Sequence, residues 1–199
     1  MIIFAVIFCS VVIYAQAQVP VTKCSTTVKV VKDFHQEQLL GDWYEQARYP
    51  STLEDNARCV HTNYSPNPVT TTTTTPNPSP TLTLDPILSY TEFINSDTNE
   101  WTILEGNAIA DPSEPAKFNV TFTNPKLTVP YWILGTDYSG FFVGYSCSVI
   151  KNVTGVSLFV LTRSFEPVQS AIDDAIAVIK ANKLSTAELR QTDQDVCDY

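Results

Sequence analysis

The sequence predicts an all-β fold followed by one helix packed outside it. Three observations carry that expectation. Short segments rich in Tyr, Phe, Trp, Val, Ile and Thr recur between turn signals through the middle of the chain. After the last of them, one stretch repeats its apolar residues at helical spacing. Charged residues are only 17% of the 199, against 44% hydrophobic and 11% aromatic, so much apolar surface has to be enclosed.

The elements follow in order. Residues 1–17 (MIIFAVIFCSVVIYAQA) carry no charged side chain, and their apolar run is too short to span a bilayer. Ala15-Gln16-Ala17 is a small-x-small cleavage pattern, so 1–17 is expected to be a secretory signal peptide and 18–199 a single mature domain. No later stretch is long and apolar enough for a transmembrane helix. Strands are expected at residues 43–48, 59–65, 88–95, 100–110, 116–122, 131–138, 141–150 and 156–163, about eight in all. Their short connections fit a sandwich or an up-and-down barrel. Ser139-Gly140 makes a tight hairpin, Asp111-Pro112-Ser113 a turn, and Gly155 relaxes another. Val168, Ile172, Ala175, Ile176 and Ile179 form the helical stripe, with Pro167 suited to the first turn and Asn182 to the end. With no second helix to pack on, that stripe should lie on the outside of the sheet. Residues 66–80 (PNPVTTTTTTPNPSP) are an uncharged Thr/Pro-rich loop insertion, unable to bury enough surface to order itself.

Several function classes drop out. A formal charge of −9, from 21 acidic and 12 basic residues, argues against nucleic acid and anionic membrane surfaces as partners. Once 1–17 is removed, Cys24, Cys59, Cys147 and Cys197 remain, an even number in an oxidising compartment, so two disulfides are expected. Four cysteines allow three pairings, and spacing does not choose among them. Each bridge closing so long a loop should stabilise by roughly 3–5 kcal/mol. The wide spacing argues against zinc. The acidic stretch from Asp85 to Glu114 lacks the D-x-D-x-D of a calcium loop, so no metal site is expected. No G-x-S-x-G, H-E-x-x-H, P-loop or G-x-G-x-x-G occurs. His35 and His61 read as surface or structural residues, and no catalytic residue is assigned. Asn119-Val-Thr and Asn152-Val-Thr are N-glycosylation sequons, and Asn63-Tyr-Ser is a weaker one because Pro66 follows it.

Gly41-Asp42-Trp43 before the first strand, Thr136-Asp137-Tyr138 at a hairpin and Arg163 ending the last strand resemble, in that order, the three short motifs of the lipocalin family. GDWYEQARYP, RCVHTNYS, EPAKFNVTF, PYWILGTDY, GYSC and TDQDVC are most similar to its apolipoprotein D and insect bilin-binding branch, over residues 24–197. The resemblance implies an eight-stranded antiparallel up-and-down lipocalin barrel, closed at one end, with the C-terminal helix outside. It implies Trp43 at the closed base under Arg163, which a cation–π attraction of about 0.5–2 kcal/mol would support. It implies the disulfides Cys24–Cys147 and Cys59–Cys197. The Thr/Pro-rich insertion departs from the family pattern and is expected to lengthen a loop near the open end, gating entry or merely dangling.

Strand parity then selects the wall of a ligand pocket. Outward Asn119 turns Phe118, Val120 and Phe122 inward, and outward Asn63 does the same for Val60, Thr62 and Tyr64. Phe159 and Leu161 share the parity of Arg163, Tyr131 and Ile133 take the matching places on their strand, and Tyr90 and Phe93 are assigned on another. The function expected from the resemblance is extracellular binding and transport of a small hydrophobic ligand. Bilin pigments, retinoids, fatty acids, sterols and pheromones are candidates. No cofactor is required, though a bound bilin or other hydrophobic chromophore suits an aromatic wall. The alternative is a secreted glycoprotein scaffold whose loops bind a protein partner. A cell-surface receptor or a lipoprotein partner is compatible with either reading. A secreted isomerase or hydrolase of this family would need a base or nucleophile inside the barrel, and no cysteine or histidine is placed there.

Overall fold

Alternation of enclosed and exposed side chains along each long strand lets one sheet curl until its first and last strands pair. The computed structural model describes residues 18–51, 53–54, 56–67, 85–150 and 152–197. The expected signal peptide at 1–17 and residues 68–80 of the Thr/Pro-rich stretch lie outside the described residues. A short strand β1 (Val19–Pro20) and one helical turn α1 (Gln36–Leu39) precede β2 (Gly41–Arg48). Then come β3 (Ala57–Pro66), β4 (Ile87–Asn95), β5 (Glu100–Asp111), β6 (Glu114–Phe122), β7 (Leu127–Thr136), β8 (Phe141–Ile150) and β9 (Val153–Thr162). The helix α2 (Gln169–Ala181) and the short β10 (Arg190–Gln191) follow. Strands β2 to β9 pair antiparallel with their sequence neighbours, and β2 pairs with β9, Tyr44 opposite Thr162 and Arg48 opposite Phe159. The fold is therefore the closed eight-stranded barrel rather than a sandwich. β7 starts earlier than its aromatic segment indicates and carries Pro130 opposite Asn119.

The base is built around Trp43, which is fully buried. Its indole Nε1 donates to the Leu39 carbonyl of α1 at 2.8 Å, so the turn is drawn across the barrel end. The Arg163 guanidinium lies 3.8 Å from the Trp43 ring centre. It also donates to the carbonyls of Tyr138 (3.0 Å), Asp42 (3.0 Å) and Gln38 (2.8 Å). The β7–β8 hairpin beside it is held by Asp137, whose Oδ1 accepts from the backbone N–H groups of Ser139 (3.1 Å), Gly140 (2.7 Å) and Phe141 (2.9 Å). Burial works against that carboxylate, but these donors keep it below the usual carboxyl range. Thr136 braces the same turn, donating to the Phe141 carbonyl at 2.7 Å and accepting from the Tyr138 N–H at 2.8 Å.

On the outer wall α2 buries Ala171, Ala175 and Ile179 in one apolar cluster with Leu134, Tyr145 and Leu158. Val168 is not part of the stripe: it is the extended N-cap residue and 70% exposed. The wall has one gap, filled by the C-terminal segment. β2 pairs with β3 only from Gly41 to Tyr44, and a register shift between Arg58 and His61 turns β3 away. β10 takes the vacated edge, with Gln191 opposite Ala47. Beyond it the Cys59 N–H donates to the Asp193 carbonyl (2.8 Å), and Gln194 Nε2 bridges the carbonyls of Glu45 (2.7 Å) and Val60 (2.9 Å). The Cys59–Cys197 disulfide, with 5.5 Å between Cα atoms, pins this segment. Cys24–Cys147, at 5.8 Å, pins the N-terminal segment to β8. Both pairings are those the resemblance implies.

The described flanks of the Thr/Pro-rich stretch do not leave the barrel at its open end. Antiparallel neighbours alternate ends. With Gly41 opposite Tyr64 and Pro66 opposite Ile87, the β3–β4 connection leaves beside Trp43, at the closed base. Its described flanks are tied there: the Asn67 N–H donates to the Pro86 carbonyl at 2.8 Å, and Gln36 of α1 donates to the Asp85 carbonyl at 2.6 Å.

Trp43→Ala is expected to lower the unfolding free energy in urea by about 3–5 kcal/mol, as for other buried aromatic truncations. Trp101→Ala, at a residue 49% exposed on the outer face of β5, should change it by about 0.5 kcal/mol or less. Equal effects would rule out the base-packing role of Trp43.

Candidate ligand cavity

The inner faces of the strands enclose a cavity of about 90 Å³, measured as room for the centres of water molecules. One water needs roughly 10–15 Å³ on that scale, so the space is narrow but real. Its floor is apolar: Leu39, Ile87, Ala108, Phe118, Ile133 and Leu161 belong to the cluster that also holds Trp43. Above them lie Tyr64, Val120, Tyr131 and Phe159, and Val60, Thr62 and Phe122 complete the wall. Ten of the twelve residues assigned inward by parity thus border one space. The Tyr131 and Phe159 rings sit 5.9 Å apart on the same stretch of wall, on either side of Gly144. Tyr131 fits because residue 144 is Gly, where any Cβ would collide with its hydroxyl. Tyr64 and Tyr131 are hydrogen-bonded to each other, and burial raises both phenols well above their usual range.

Two assignments are corrected. Tyr90 faces outward and is 37% exposed, opposite Glu105 on β5. Phe93 does face inward, but it packs with Ala57, Val60 and Leu104 in a separate cluster and does not border the cavity. Residues three apart on a regular strand have opposite facing, so both could not line one space. The sequons also fall differently. Asn119 and Asn152 are exposed, whereas Asn63 is half-buried and donates to Asp42 Oδ1 at 2.7 Å. His61 is on the outer side, its ring nitrogens 3.1 Å from Asp42 and 3.3 Å from Glu92.

Residues outside the parity assignment complete the wall. On β5, Leu104 and Ala108 alternate inward. On β8 and β9, Ser146, Ser148 and Ser157 supply hydroxyls, and Thr62 and Thr91 share a 2.9 Å hydrogen bond across β3 and β4. Most consequential are two carboxyls. Glu45 shares the inward facing of Trp43 two residues earlier, a signal present in the sequence. It is 1% exposed and accepts from Arg48 Nη1 and from the Thr192 hydroxyl, both at 2.5 Å. Glu54 comes from the β2–β3 loop, which periodicity does not reach. Arg48 holds that loop in place, donating to the carbonyls of Glu54 (3.0 Å) and Ala57 (2.9 Å). Burial, then the neighbouring Glu45, push the Glu54 carboxyl up to about 8, against the opposing pull of Arg48. Among the described residues, no cluster of His, Cys, Asp and Glu is arranged to hold a metal, and no helix is long and apolar enough to cross a membrane.

Comparison with known proteins bears on this geometry. A profile of the Lipocalin / cytosolic fatty-acid binding protein family matches residues 86–196. Apolipoprotein D of Macaca fascicularis is 28% identical over 177 residues, covering 88% of this chain and 84% of that protein. Among solved structures, insecticyanin from the tobacco hornworm Manduca sexta superposes with a TM-score of 0.68 at 18% identity, covering 92% of this chain and 93% of its own. Lobster apocrustacyanin A1 gives a TM-score of 0.66 at 18% identity, covering 90% and 92%.

Glu54 carries a testable pH signature. Unfolded, it loses its proton near 4.5; folded, it keeps it to about 8. Between those values folding takes up a proton, so stability is fully present below about 4.5 and falls as pH rises towards 8. The urea midpoint of the natural protein should therefore drop more steeply from pH 5 to pH 8 than that of Glu54→Gln. Parallel slopes would reject the assignment.

Proposed function

The chain belongs to the lipocalin family, whose members bind small hydrophobic ligands, and on that premise we propose that it is an extracellular carrier enclosing a slender, mostly apolar molecule. The observation that carries the reading is the cavity itself, bordered by side chains from all eight barrel strands above an apolar floor. Enclosure is the whole mechanism. At about 25 cal/mol per Å², hiding roughly 300 Å² of ligand surface contributes about 7 kcal/mol before the entropy of association is subtracted. No bond need be made or broken, and both histidines lie outside the cavity wall. The narrow bore favours a linear chain or a small ring over a wide, flat pigment. Secretion is supported by the leader pattern at 1–17 and by two disulfides, which persist in oxidising compartments. The exposed sequons Asn119 and Asn152 are then candidate glycan sites.

The scaffold alternative draws on a different surface. Leu88, Tyr90, Trp101 and Ile103 leave apolar area exposed on the outer face of β4 and β5. It predicts no dependence of function on the cavity.

Native mass spectrometry of the protein purified from its own source should show a co-purifying small molecule. Ala108→Leu, which fills the cavity floor, should weaken binding of retinol and long-chain alcohols at least ten-fold while keeping the far-ultraviolet spectrum of the barrel. Ligand-free natural protein together with no binding from either panel would defeat the carrier reading.

A further inference from the structure

The cavity wall holds a polar group with no partner of its own. Glu54 Oε2 is closed off from water and makes no hydrogen bond, although the rest of the residue is half-buried. Leaving a buried acceptor unpaired is costly, and the cost is recovered when a ligand supplies a donor. The neighbouring carboxyl is better supplied: Glu45 Oε1 accepts from Arg48 Nη1 and from the Thr192 hydroxyl. The unpaired Glu54 oxygen can accept from an incoming donor.

The surroundings set the chemistry of what could meet it. Among the described residues, no Lys or Arg borders the cavity. Arg48, the guanidinium nearest this pair in the chain, is held by Glu45, Thr192 and the carbonyls of Glu54 and Ala57. A second buried hydroxyl without a partner, Ser148 Oγ, faces the same cavity from β8. A carboxylate head would have to shed its water beside the Glu45 carboxylate, whose partner Arg48 is already engaged, with no further cation in the described wall to receive it.

We propose that Glu54 forms the head-group subsite of the cavity, accepting a hydrogen bond from a hydroxyl or ammonium on an otherwise apolar ligand and selecting against carboxylates. This rests on the cavity being the ligand site. The lipid-like tail lies along the apolar floor, and the donor end sits beneath the β2–β3 loop. Specificity comes from one oxygen atom rather than from the shape of the tail. Free fatty acids are then poor ligands, and long-chain alcohols, amines or sterol-like hydroxyl compounds good ones.

The test compares three probes with one tail: 1-decanol, decylamine and decanoate, each displacing the fluorescent apolar dye N-phenyl-1-naphthylamine at pH 7. The donor-headed probes should bind at least ten-fold tighter than decanoate. In Glu54→Leu that preference should fall below three-fold, with decanoate unchanged or improved. Glu54→Gln keeps an acceptor oxygen and should retain most of the preference for decanol. Decanoate binding as tightly as decanol to the natural protein overturns the subsite, even if Glu54→Leu fails to fold. So does a preference that survives Glu54→Leu intact. If neither the dye nor any probe enters, the carrier reading fails, and the subsite with it. If the dye and all three probes bind alike, the subsite alone fails.

Discussion

A closed barrel is weakest along the seam where its first and last strands meet, because those strands are farthest apart in the chain. Arg163 holds that seam at the base. It sits one residue beyond β9 and takes carbonyls from the turn before β2, from β2 itself and from the β7–β8 hairpin, while its plane rests on Trp43. Each of these bonds is ordinary in strength. Their value lies in joining segments more than a hundred residues apart at one point, with the indole excluding water from it. With the seam closed, every strand has a defined inside and outside, and the alternation of side chains acquires a consequence.

The interior that results is shaped more by its smallest residues than by its aromatic ones. Gly144 yields its place to Tyr131, and at Gly106 a Cβ would press on Ser89 and Val120. Ala108 is the small residue between Ile87 on β4 and Val120 on β6. Space in a close-packed protein is kept only where side chains are too short to meet. The polar positions are equally deliberate in their pairing, Thr62 with Thr91 and Glu45 with Arg48 and Thr192. Against that background the unpaired oxygens of Glu54 and Ser148 stand out in the cavity wall.

Much of this was legible in the sequence, for reasons that can be named. Alternation placed Phe118, Val120 and Phe122 correctly from the single premise that Asn119 faces out, since a strand offers no third direction. Tyr90 and Phe93 stand three apart on β4, so alternation admits only one of them inward, and it is Phe93. The same rule would have found Glu45 from Trp43, had a charged residue been admitted as an inward one. Counting strands from Trp43 would also have put the Thr/Pro-rich connection at the base, because each hairpin reverses direction. Glu54 is different in kind. It lies in a loop, where no periodicity operates, and Arg48 binding the loop backbone is what folds it inward. That is a tertiary event with no local signature.

The gap between β2 and β3 is filled by residues 190–197, which the ribosome makes after every strand of the barrel. A chain interrupted anywhere before them would leave an open flank with unpaired backbone groups along both strands, the condition that chaperones and misassociating neighbours detect. The barrel wall is therefore sealed only once a segment that follows all eight strands has docked against β2 and β3 and its cysteine has paired.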